Sequence, residues 1–160
     1  MLKAVYPGSF DPLTNGHVYI AKRAADIFGK CVIAVLDNSE KKSMFSKAER
    51  VDMIRSVFKN DKNISVAAYN GLLVDFMKKE KSRVIVRGLR ALSDFEYEFQ
   101  IAQLNRQLAP EVETFFIATE PRFSFLASHA VKDVFKWGGN ISDMVPQEIL
   151  ERMVKLQNKD

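Results

Sequence analysis

The sequence predicts an α/β protein with a doubly wound, parallel five-stranded sheet. Three observations predict it. Apolar runs at 2–6, 31–36, 64–68, 83–86 and 112–118 are short, rich in Val and Ile, and mostly continuous rather than alternating. That is the pattern of strands buried on both faces. Segments of helical spacing separate the runs, and the links between them are short, so successive strands pair in parallel across helical crossovers. No repeat, low-complexity tract or linker divides the chain, so one domain over 1–160 is expected.

Each helix carries its own signals. After the first run, residues 15–28 present Ile20, Ala24, Ile27 and Phe28 on one stripe, ended by Gly29. Ser46-Lys47-Ala48-Glu49 reads as a capping box ahead of Val51, Ile54, Val57 and Phe58. A third helix is expected over 72–81. Ser93-Asp94-Phe95-Glu96 reads as a second capping box, opening a long helix to about Leu108 before Pro110. Residues 124–136 form the next helix, stopped by Gly138-Gly139, and Pro146 starts the last, which carries Ile149, Leu150 and Met153.

Bulk composition bounds the function classes. With 160 residues, 47% hydrophobic and 28% charged, the chain has the composition of an ordinary soluble globular protein with a core. A net charge of +4 and a pI near 9.2 suit an anionic partner without demanding one. A lone cysteine, Cys31, excludes an intrachain disulfide framework. No apolar stretch reaches spanning length and the N-terminus enters a strand without an apolar leader, so a cytoplasmic protein is expected.

In doubly wound folds ligands bind at the carboxyl ends of strands. The first such loop, Pro7-Gly8-Ser9-Phe10-Asp11-Pro12-Leu13-Thr14-Asn15-Gly16-His17, runs from strand into helix with glycines, hydroxyls and one of the chain's two histidines. A helix start aims free N–H groups and the positive end of its dipole at whatever lies above the strand, and a phosphate is the natural occupant. The fourth run ends in Arg87-Gly88-Leu89-Arg90, whose guanidinium forks suit phosphate. Lys41 and Lys42 follow the second run. No G-x-x-x-x-G-K-[ST] loop, G-x-G-x-x-G fingerprint, H-E-x-x-H pair or G-x-S-x-G elbow occurs, so the familiar phosphate-loop, dinucleotide, zinc-protease and serine-hydrolase routes are out.

Thr14-Asn15-Gly16-His17 resembles the HxGH signature of nucleotidyltransferases. The wider set of Tyr6 through Pro12, Lys41-Lys42, Met44-Phe45, Glu49-Arg50, Arg87-Gly88-Leu89-Arg90 and Asp94-Phe95-Glu96-Tyr97-Glu98 is similar to phosphopantetheine adenylyltransferases, at consistent spacing from Lys3 to about Lys136. The resemblance implies a Rossmann-like nucleotidyltransferase fold. It also implies transfer of the adenylyl group of ATP to 4'-phosphopantetheine, giving dephospho-CoA and pyrophosphate in coenzyme A synthesis. On the same footing, His17 would be the catalytic residue, stabilising the transition state. Ser9, Phe10, His17, Gly88, Leu89, Arg90, Glu98 and the segment Phe123, Ser124, Phe125, Leu126, Ala127, Ser128 and His129 would contact ATP. Ser9, Lys41, Leu73, Arg87 and Asn105 would line the phosphopantetheine site. The resemblance further implies Mg2+ accompanying ATP, CoA as a feedback inhibitor and a homohexamer. No nucleic-acid or membrane partner is expected, since the notable basic residues stand singly at strand ends.

One stretch departs from the family. The late helix start, usually serine-rich, reads Leu126-Ala127-Ser128-His129-Ala130-Val131-Lys132. A hydroxyl is lost at Ala127, and His129 is either a phosphate donor or a bystander. The rival readings are another HxGH transferase using CTP or a different phosphate nucleophile, a nucleic-acid-binding domain, and a nucleotide-binding scaffold without turnover.

Overall fold

A computed structural model describes residues 2–36 and 43–158. Its parallel sheet contains β1 (Leu2–Gly8), β2 (Gly29–Leu36), β3 (Ile64–Tyr69), β4 (Val84–Leu89) and β5 (Glu113–Ala118), in the order β3-β2-β1-β4-β5. The helices are α1 (Asn15–Phe28), α2 (Lys47–Val57), α3 (Leu73–Glu80), α4 (Leu92–Leu108), α5 (Ser128–Lys136) and α6 (Gln147–Gln157).

The continuous apolar runs are explained by burial on both faces. Ala4, Tyr6, Cys31, Ile33, Val84 and Val86 enter a core with α1, α2, α5 and α6, whereas Val5, Val32, Ala34 and Ile85 enter a second core with α3. Strand alternation therefore divides the central runs of β1, β2 and β4 between two cores, whereas the edge strands β3 and β5 leave polar residues such as Ser65 exposed.

β1 and β4 extend two and three residues beyond their predicted ends, and both extensions matter for function. β4 is carried past Val86 by parallel pairing with β5, from Val84↔Glu113 to Leu89↔Ala118. β1 continues to Gly8 by pairing with β2, but its pairing with β4 stops at Val5↔Ile85. Beyond that point β1 and β4 part, at the strands between which the winding reverses. A crevice opens there at the carboxyl ends, where such folds hold ligands.

Helix starts show where local signals decide and where they do not. The Ser46–Glu49 capping box forms, with Ser46 N donating to Glu49 Oε2 at 2.8 Å. The Ser93–Glu96 box does not. α4 begins at Leu92 with Ala91 as an N-cap that makes no side-chain bond, and Asp94 is held by Arg90 instead. The helix expected over 124–136 starts only at Ser128, as α5; residues 124–127 form a turn and extended link that follows a 3-10 turn at Pro121–Phe123.

Candidate active site

The loop after β1 is held by Arg50 and by an Asp11–Lys132 pair that itself lines the cleft. Arg50, with 1% of its surface exposed, donates to the carbonyls of Phe45 (3.1 Å), Ser9 (2.7 Å) and Leu36 (3.3 Å), tying the loop to α2 and the end of β2. The buried Asp11 carboxylate accepts the N–H groups of Met44 (2.8 Å) and Phe45 (3.0 Å) and pairs with Lys132 Nζ at 3.0 Å. Loop, α2 and α5 thus share one polar knot. Phe10 takes a left-handed backbone (φ 49°) that points its ring inward. There it packs edge-on against Tyr6 and His17, each at 5.2 Å between centroids. A Cβ on Gly8 would lie 2.8 Å from that ring, so only glycine fits beneath it.

His17 stands in the first turn of α1 and is half-buried. Its Nδ1 accepts the N–H of Thr14 at 3.0 Å, while Thr14 Oγ1 accepts the His17 N–H at 3.4 Å. This is a capping box with histidine in the role that glutamate usually takes. A backbone donor on Nδ1 fixes the tautomer: the proton sits on Nε2, the nitrogen left to the cleft. Burial, with the Arg90 and Arg87 charges nearby, lowers the pKa to about 4. At neutral pH the imidazole is therefore an uncharged donor.

His17 lines a cleft of about 310 Å³ in the crevice. Ser9, Phe10, Gly88, Arg90, Glu98, Phe123, Leu126, Ala127, Ser128 and His129 line it too. Leu89, Ser124 and Phe125 do not: Leu89 falls between Gly88 and Arg90, which both line it, Ser124 Oγ bonds the Pro121 carbonyl at 2.8 Å, and Phe125 is exposed. Phe10 has its ring buried in the core, so what it offers a ligand is backbone. The start of α5 also faces this cleft. Its N-cap, Ala127, makes no side-chain bond, and Ser128 Oγ is used on the Pro12 carbonyl at 2.8 Å. The exposed His129 follows on the first turn. Two helix N-termini, those of α1 and α5, therefore border one cleft, as anion binding favours.

A second cleft of about 540 Å³ lies beside the first, between the ends of β1 and β4 and α4. Ser9, Leu73, Arg87 and Asn105 all line it. Lys41 lies outside the described residues. The two clefts share Pro7, Gly8, Ser9, Arg87 and Glu98 as a common wall. Arg87 reaches across the parted strands. Its Nη1 donates to the Pro7 carbonyl at 2.5 Å, and its Nε and Nη2 bind Glu98 Oε2 and Oε1 at 2.7 and 2.5 Å. Burial alone would favour loss of its proton, but the Glu98 carboxylate more than reverses this and holds the pKa above its ordinary value. Gly88 allows β4 to lie against α1, since a Cβ there would meet Ile20 Cγ1 at 2.9 Å.

Ser43 and Thr119 line the first cleft without belonging to any sequence motif, and Asp94 and Lys132 line it although the motifs that contain them give them no ligand contact. Asp94 and Lys132 are paired, with Arg90 and Asp11 respectively, whereas Thr119 Oγ1 is buried without a hydrogen-bond partner among the described residues. For Lys132 a signal existed, because one helical turn places it on the same face of α5 as Ser128.

A family model described as cytidylyltransferase-like matches residues 5–134. A phosphopantetheine adenylyltransferase of Clostridium botulinum (strain Langeland) is 52% identical over 158 residues, covering 99% of this chain and 96% of the relative. That of Clostridium tetani is 51% identical over 155 residues, covering 97% of each. The chain belongs to the phosphopantetheine adenylyltransferase family. Its five-stranded parallel sheet is the Rossmann-like nucleotidyltransferase fold that the loop motifs imply. Among the described residues no three His, Cys, Asp or Glu side chains converge as a metal cage, and no helix is long and apolar enough to cross a membrane.

Proposed function

We propose that this chain transfers the adenylyl group of ATP to 4'-phosphopantetheine, giving dephospho-CoA and pyrophosphate. The observation that carries this reading is the pair of clefts meeting at one wall of Pro7, Gly8, Ser9, Arg87 and Glu98. One cleft has the helix ends and histidine that suit a triphosphate. The other has the half-buried Leu73 and the amide of Asn105, which suit a pantetheine arm with its alternating apolar and amide groups. A reaction between two phosphates needs them side by side at the wall.

The reaction is direct. The phosphate of phosphopantetheine attacks the α-phosphorus of ATP, the bond to the β-phosphate breaks, and pyrophosphate leaves with the electron pair. The protein brings two anions together and cancels their repulsion, with Arg87 and Lys41 serving the attacking phosphate and Arg90 and the α5 start serving ATP. His17, donating from Nε2, stabilises the oxygens of the five-coordinate phosphorus. A donor aimed at developing charge contributes about 3–4 kcal/mol. Because the imidazole is neutral, it donates without first having to lose or gain a proton. Mg2+ has no protein cage among the described residues, so it would enter bound to the ATP phosphates.

The same reading extends to regulation and assembly. CoA carries both a pantetheine arm and an adenine nucleotide, so it would fill both clefts and inhibit. Leu92, Phe95, Tyr97, Phe99, Leu104 and Leu108 leave a broad apolar surface on α4, of which no residue is buried. Such a surface supports burial between subunits of a homohexamer. The buried thiol of Cys31, in an apolar core, accords with a protein of the cytoplasm.

The test is pyrophosphate release from ATP or CTP with a panel of phosphate-bearing nucleophiles. Release that requires ATP and phosphopantetheine together supports the reading. Faster release with CTP or with another nucleophile rejects it.

A further inference from the structure

Every nitrogen of the Arg87 guanidinium has a partner within the protein: Nε and Nη2 bind Glu98, and Nη1 binds the Pro7 carbonyl. The pair stands in the wall common to both clefts, with 28% and 13% of the two side chains exposed. A carboxylate is an unexpected occupant of a wall between two phosphates. It repels both anions, and it holds the cation that one of them would use. A guanidinium fork accepts carboxylate or phosphate equally well, so replacing one by the other costs little geometry.

We infer that Glu98 is a positioning residue that couples the two substrate sites, holding Arg87 at the shared wall until nucleotide enters the first cleft. Ribose or amino N–H and O–H donors from the nucleotide draw on the Glu98 oxygens, and the guanidinium edge thereby loosened passes to the phosphate in the second cleft. Nucleotide then tightens the binding of the second substrate, and by linkage the second substrate tightens nucleotide by the same factor. No covalent step is involved. The inference rests on the adenylyl-transfer reading above and adds to it a residue that acts on one substrate through its hold on Arg87.

Calorimetric titration of 4'-phosphopantetheine, with and without α,β-methylene-ATP, tests it on the full-length protein and on Glu98→Gln. In the parent the nucleotide analogue is expected to tighten phosphopantetheine at least about fivefold, the lower end of ordinary coupling. Glu98→Gln keeps the shape but not the charge. Without nucleotide it is expected to bind phosphopantetheine as tightly as the parent does with nucleotide, with the coupling factor reduced to about one. A purely structural role for Glu98 would weaken binding in both conditions instead. A parent factor of about one, or a Glu98→Gln protein with the parent's factor, overturns the inference. A parent factor of about one overturns it whether or not the variant folds, and where Glu98→Gln does not fold, Arg87→Lys, which loses the fork to Glu98, is expected to lose the coupling in its place. Phosphopantetheine that binds under neither condition rejects the adenylyl-transfer reading itself, which separates the two failures.

Discussion

The backbone N–H of Thr14 donates to Nδ1 of His17 at 3.0 Å. A chain that follows helix-capping rules would place a carboxylate at this position. Histidine there keeps the cap through Nδ1 and adds a positioned, neutral donor whose second nitrogen is left to the cleft.

The ionisation of His17 is therefore readable directly. In a 15N-detected titration of the free protein, His17 should appear as the Nε2–H tautomer at pH 7, with a midpoint of about 4. The chain has only one other histidine, so a His129→Gln variant assigns the signals. A His17 midpoint near 6.5, or an Nδ1–H tautomer, would contradict the geometry. The same shift bears on stability. The unfolded chain takes up the proton near 6.5 and the native protein resists it, so the His17 contribution is whole above pH 6.5 and is lost as pH falls toward 4. Urea midpoints followed over that window should fall more steeply for the parent than for His17→Asn.

Replacing His17 with Ala should lower kcat by about 10²–10³ while ATP still binds, since the donation is made to charge that develops in the transition state. Steady-state kinetics beside equilibrium ATP binding makes the distinction. A kcat within a few-fold of the parent would remove His17 from the chemistry.

Gly88 and Ile20 are in direct conflict once a side chain is added. Gly88→Ala should destabilise by about 1–3 kcal/mol, because its Cβ would sit 2.9 Å from Ile20 Cγ1. In the Ile20→Ala background the same change should cost less, and a double-mutant cycle by chemical denaturation reads the difference. Additive effects would show that the two residues do not meet.

Ala127 occupies an N-cap with extended backbone (φ −123°, ψ 145°) and no capping side chain. Ala127→Ser should raise stability by about 1 kcal/mol, or about 2–4 °C in Tm for a chain of this size. An unchanged Tm would mean that the first turn of α5 is already satisfied by other groups.

Arg50 binds three carbonyls from three segments while almost wholly buried. Arg50→Met should destabilise by about 3 kcal/mol or more, because buried acceptors lose their donors. A change under about 1 kcal/mol by denaturant titration would show that the loop is held by other means.

The sheet was legible from the sequence because central strands buried on two faces leave continuous Val- and Ile-rich runs, as at Cys31 to Val35. Helix ends were legible where the capping side chain bonds, as at Ser46, or where glycine ends the helix, as at Gly29, and not where the chain is already helical before the apparent box. Ser93 and Glu96 look like a capping box, yet Arg90 takes Asp94 and the helix starts at Leu92. The site was half legible. A motif names His17 and Arg87, but the use of Nδ1 as an acceptor and the Arg87–Glu98 fork depend on geometry that no spacing encodes. Asp11 and Lys132 lie 121 positions apart and become partners only when α5 closes over the loop.

Direct displacement between two phosphates at the shared wall is the core of the proposed reaction. Turnover of a single diastereomer of ATPαS, carrying sulfur on the α-phosphorus, with 4'-phosphopantetheine tests it most directly. Phosphorus NMR of the thio-dephospho-CoA formed should show inverted configuration at that phosphorus. Retention, which requires an adenylyl group carried covalently on the protein, or no dephospho-CoA analogue at all, would contradict the account.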